Sequence, residues 1–176
     1  MSDLRLRQIA ATGLVAGAVL GVAGTFAPSA PLRGLAWGLD GTALIVACAL
    51  LTVQHIQSRN DLAAAGFLVF VAGETLVLSG AAMTLEASKP AFAAGVGLWA
   101  ASLVLVGASR IMPRIVNGIG FVGALLFAIV AVRIFMGADL TPLSRPLPIF
   151  AYPSLAATLF GWAWCTLKAT GVSKRT

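Results

Sequence analysis

Charge is what this chain has least of: 10% of its 176 residues are charged, against about 25% in an average soluble domain. A water-soluble globular protein is thereby excluded. Histidine is nearly absent as well. A histidine-ligated b-type haem needs one or two axial imidazoles, and the single histidine, His55, falls at the end of an apolar run. Only two cysteines occur, Cys48 and Cys165, each inside an apolar run with no histidine near it in sequence. There they behave as small apolar residues rather than as redox centres or nucleophiles. The chain contains no His-Glu-x-x-His, no Cys-x-x-Cys, no Gly-x-Ser-x-Gly and no phosphate-binding glycine loop. The sequence therefore predicts no metal, no cofactor and no catalytic residue, and its balance is against an enzyme.

What is abundant is apolar surface. Hydrophobic residues make up 59% of the chain and the mean hydropathy is +0.96. A bilayer core about 30 Å thick takes roughly 20 mostly apolar residues per helix, and six such runs are separated by charges, proline or polar clusters. They cover residues 9–26, 34–53, 62–84, 91–108, 115–136 and 148–167. The prediction is an all-α fold, a polytopic bundle of six transmembrane helices forming one domain over 1–176. The first run ends near Ala27-Pro28-Ser29-Ala30, which superficially resembles a signal-peptide cleavage region. Its length and its glycines favour a helix that is retained.

Orientation follows from lysine and arginine near the run ends. A cytoplasmic N-terminus places Arg5, Arg7, Arg59, Arg110, Arg114, Lys168, Lys174 and Arg175 inside, and Arg33, Lys89, Arg133 and Arg145 outside. Both termini are expected in the cytoplasm, and the location is expected to be a bacterial plasma (inner) membrane. The net charge of +6 is then a topological signal, not a nucleic-acid footprint. Nucleic acid is not an expected partner, and membrane lipids are.

Small residues four apart mark faces where membrane helices approach closely. Gly13, Gly17 and Gly21 form such a stripe, Gly34 and Gly38 open the second run with another, and Gly66, Gly73 and Gly80 recur at spacing seven along the third. The sequence leaves open whether these faces meet within one chain, in a homo-oligomer or against a partner in a membrane complex. The first half also matches the second in a loose way: Gly13-Leu14 with Gly97-Leu98, and Pro31, Gly38 and Gly41 with Pro113, Gly120 and Gly123. Taken as a repeat, this makes a 3+3 inverted architecture of the kind transporters use.

Ionisable groups within the bilayer cost about 2.5–3.5 kcal/mol on insertion scales and normally face a partner or a wet cavity. Three fall there: Glu74 within the third run, Asp40 toward the outer end of the second and Arg133 toward the outer end of the fifth. Two readings follow. Glu74 forms the floor of an outward-opening pocket with Asp40 and Arg133, or it pairs with Arg133 or with backbone donors and only fixes helix positions. On the second run Asp40, Leu44, Cys48, Thr52 and His55 share one helical face, a candidate polar path inward from Asp40. The segment around Pro142, Pro146, Pro148 and Pro153 opposes regular helix and is expected to cap the outer mouth, with Arg145 and Tyr152 positioned to meet a polar or anionic head group. The functional expectation is a multi-pass membrane protein that binds or transports a small molecule or ion at a polar site in the outer half of the bilayer. Its alternative is a non-catalytic accessory or assembly subunit of a larger membrane complex.

Overall fold

Capping chemistry divides the apolar runs into helices. The Ser29 hydroxyl accepts from the Leu32 amide, and Pro31 lies in the first turn that follows. Asn60 accepts from the Ala63 amide at 3.2 Å, with Asp61 beside it, a negative charge where the helix dipole is positive. Pro90 opens another helix and Pro113 caps a further one. Arg59 and Arg110 take left-handed φ values of 55° and 58° and reverse the chain after the helices they follow.

The computed structural model describes residues 3–168. Its helices are α1 (Asp3–Thr25), α2 (Ala30–Gln57), α3 (Asp61–Gly80), α4 (Lys89–Ala108), α5 (Arg114–Phe135) and α6 (Tyr152–Lys168), and no strand occurs among the described residues. The first five are long and apolar enough to cross a membrane. α6, with 17 residues, is shorter and packs beside them. The chain is a multi-pass membrane protein. Helix ends differ from the apolar runs at several places: α1 begins six residues before its run and α2 extends four residues beyond its run at each end, while two others stop short. α3 stops at Gly80 although the apolar residues Ala81, Ala82 and Met83 follow, and α6 begins at Tyr152 because residues 146–151 form turns around Pro146 and Pro148.

Each helix packs against its neighbours in sequence, and α6 returns to α1. The six helices thus close a ring. Large apolar side chains such as Ile115, Leu125 and Phe135 point outward, which suits lipid. The interior is filled by an aromatic column: Phe67 and Phe70 each meet Trp162 edge-on, Phe70 stacks on Trp99 with centroids 5.9 Å apart, and Trp99 meets Phe127 at 5.3 Å. His55 stacks on Phe67 at one end of this column and Tyr152 meets Phe127 at the other.

Glycine decides how closely the ring closes. A Cβ at Gly13 would lie 2.9 Å from the Ala43 carbonyl oxygen, one at Gly66 2.7 Å from Val106, and one at Gly73 2.8 Å from the Gly95 carbonyl oxygen. Gly17 faces Leu44, Gly21 faces Asp40, Gly34 faces the Ala81 carbonyl and Gly80 faces Ser88. At Gly38 a Cβ would meet nothing within 4 Å, so the backbone approach that sequence spacing suggested there does not occur within the chain. Overpacked cores lose about 1–3 kcal/mol. Gly73→Ala, pressed against backbone, is expected to lower the thermal midpoint in detergent, whereas Gly38→Ala leaves it unchanged or slightly higher.

Candidate functional site: an acidic cavity at one end of the bundle

At the end of the bundle that carries the α1–α2, α3–α4 and α5–α6 connections, the packing opens into a cavity with about 750 Å³ of empty space, its mouth included. Its wall is mostly apolar and aromatic, with Trp37, Phe92, Trp99, Leu155 and Leu159 among the larger side chains. Two carboxyls, Asp40 and Glu74, also line it, and among the described residues no lysine, arginine or histidine does.

Small residues make room for both acids. Asp40 projects from α2 toward the glycine stripe of α1, where a Cβ at Gly21 would lie 2.8 Å from Oδ2 and one at Gly17 3.1 Å from Oδ1. Glu74 projects from α3 toward α2, where a Cβ at Gly41 would lie 3.0 Å from Oε1. Glu74 is only 2% exposed. The Oδ1 of Asp40 is buried without a hydrogen-bond partner, and the Trp99 indole N–H lies beside the Glu74 carboxyl without completing a bond to its buried Oε2. The other polar side chains of the wall are already engaged. Thr25 and Trp37 donate to the Gly21 carbonyl, Ser88 to that of Leu85, and the Tyr152 hydroxyl to that of Pro142 at 2.9 Å. Free hydrogen-bonding capacity in the cavity therefore concentrates on the two acids and on Trp99. Most buried polar groups in proteins are paired, so those left open ask for an explanation.

The structure brings Asp40, Glu74 and Tyr152 together and leaves the two arginines apart. Arg133 is exposed on α5, a helix that contributes nothing to the cavity wall. Arg145 is exposed in the α5–α6 connection and does not line the cavity either. The reason is the rotation of α5, whose inward face carries Phe127, Val130 and Ala131; Arg133, two residues further, points away. Among the described residues the ion pairs are those of Lys89 with Glu86 and Asp139, so Glu74 has no pairing with Arg133. The polar face of α2 also ends early. Beyond Leu44, Cys48, Leu51 and Thr52 are packed in the core, with the Thr52 hydroxyl turned back to the Cys48 carbonyl, and no path continues inward.

Sequence reasoning missed the three aromatic wall residues Trp37, Phe92 and Trp99. Trp37 and Trp99 had the outward signature of interfacial anchors, and Phe92 carried none. Yet Phe92, Val96, Trp99, Leu103 and Val106 are all buried on α4 at helical spacing, a periodicity that marks an inward face. Over the mouth, residues 139–151 supply Pro142 to the wall. The Tyr152 hydroxyl and the Lys89–Asp139 ion pair tie this segment to the bundle.

Fold and site together define a class: a multi-pass helical membrane protein with an uncompensated acidic cavity opening at one end of its helix ring. No family model matches the chain, and no curated protein or solved structure shows a significant similarity to it. Among the described residues no group of three His, Cys, Asp or Glu side chains is placed to hold a metal ion.

A buried hydrogen bond contributes about 1 kcal/mol net. Tyr152→Phe is accordingly expected to lower the thermal midpoint modestly and to expose the segment around Pro142 to limited proteolysis. An unchanged digestion pattern would show that this bond does not hold the cap.

Proposed function

We propose that the chain binds a small molecule or ion in the acidic cavity and acts as a small transporter or binding protein of a bacterial inner membrane. The arginine and lysine distribution supports cytoplasmic termini, which turns the mouth outward and sets Asp40 and Glu74 in the outer half of the bilayer. The observation that carries the reading is the Oε2 of Glu74, buried on the wall of a cavity and left without a partner. A carboxyl kept only to lock helices would be paired with a cation or with backbone donors; this one is buried beside the cavity, with neither. Mostly apolar walls with a few placed polar groups are the usual form of small-molecule sites.

A second reading, an accessory subunit of a membrane complex, draws on a shallow apolar groove between α4 and α5. Gly97, Ala101, Ala124 and Ala128 are among its lining residues, and small residues there suit a close approach by a foreign helix.

Carboxyl chemistry separates the two. N,N′-dicyclohexylcarbodiimide, an apolar carboxyl reagent, is expected to modify Glu74 or Asp40 in the folded protein, located by peptide mapping, with Glu74→Gln removing the Glu74 adduct. Modification of both acids only after unfolding would mean a sealed cavity and would leave the subunit reading in its place.

A further inference from the structure

The contents of the cavity wall constrain the chemistry of what fits it. An anion is opposed by two carboxyls and finds no basic side chain on the wall. A neutral apolar molecule would fill the space but leave the Oε2 of Glu74 and the Oδ1 of Asp40 as unpartnered as they are now, and it would gain nothing from them. A hard metal cation requires six or more oxygen ligands, or near-ideal octahedral geometry with retained waters. The wall offers two carboxyls, and its remaining hydroxyls are turned to backbone carbonyls. No three potential metal ligands converge among the described residues.

An organic cation meets each of these conditions. Its charge answers the carboxyls, its carbon body covers Leu78, Leu155 and Leu159, and Trp37, Phe92 and Trp99 add aromatic surface to the same wall, a setting that suits a weakly hydrated positive head. Resting on the reading of the cavity as the binding site, we propose that its ligand is a lipophilic organic cation: an ammonium-type head held between Asp40 and Glu74, with an apolar body extending toward the mouth. Selection then comes from the pairing of one charged subsite with an otherwise apolar wall. Glu74 is the deeper anchor of the two, since it is almost fully buried and its other oxygen is confined by Gly41. A side chain larger than glycine at position 41 would press on it.

The test uses the full chain purified in mild detergent, with benzyltrimethylammonium as the probe and neopentylbenzene, its uncharged carbon isostere, as the control. Binding is followed by calorimetry. The cation is expected to bind wild type about tenfold or more tightly than the isostere, and Glu74→Gln and Asp40→Asn are each expected to weaken the cation by about tenfold while leaving the isostere unchanged. The comparison between probes on wild type needs no variant, so a variant that fails to fold does not remove the test. Equal affinity for the two probes, or no binding of the cation, would overturn the proposal. Equal affinity together with carbodiimide modification of Glu74 or Asp40 in the folded protein would retain the cavity as the site and reject only the cationic class; modification of neither acid before unfolding would reject both.

Discussion

Glu74 lies inside the helix ring, facing the same cavity as Asp40, and no basic side chain answers either carboxyl. Each ionisable group placed in a membrane interior costs about 2.5–3.5 kcal/mol on insertion scales, and two acids sharing one space add mutual repulsion to that. The surroundings are arranged around this constraint. Gly17 and Gly21 on α1 withdraw from Asp40, Gly41 withdraws from Glu74, and Lys89 is engaged by Glu86 and Asp139. Among the described residues no side chain supplies a countercharge to the pair.

The rest of the bundle separates into a rigid half and an open half. Toward the end bearing the α2–α3 and α4–α5 connections, Phe67, Phe70 and Trp162 interlock and Leu44, Cys48 and Leu51 close the interior. Edge-on and offset aromatic contacts of this kind contribute about 0.5–1.5 kcal/mol each beyond area burial, which gives the cavity a firm floor. Toward the other end the wall becomes a connection rather than a helix, held by the Tyr152 bond to Pro142 and by Lys89. A site whose floor is packed aromatic side chains and whose roof is a tied loop has its freedom at the mouth.

Much of this was legible in the residues. Apolar runs of bilayer length gave the six helices, because a span in lipid must satisfy its backbone within itself. Run edges were less legible where the flanking residues are apolar, as at Ala81 to Met83 and around Ile149, since hydropathy does not register where a helix turns. Asp40 and Glu74 stood out because charge is costly at their depth. Arg133 stood out for the same reason and belongs elsewhere: depth is readable from sequence position, whereas the rotation of α5 about its axis is set by how Phe127 and Val130 pack. Trp99 was hidden by composition, since tryptophan at a membrane edge usually anchors. Trp164, exposed and close to Lys168, has that anchoring character. Spacing along α4 distinguishes the two.

The central claim is that Asp40 and Glu74 act on one another within a single cavity, and a double-mutant cycle tests it most directly. Thermal unfolding in detergent would compare wild type, Asp40→Asn, Glu74→Gln and the double variant. Each acid carries the cost of its own burial and of the second acid beside it, and replacing either by its amide relieves the shared part, so each single variant should melt at or above wild type and the double should gain less than the sum. That non-additivity should exceed the roughly 0.5 kcal/mol within which independent sites add. Strict additivity would mean that the two carboxyls do not sense each other and would contradict the account.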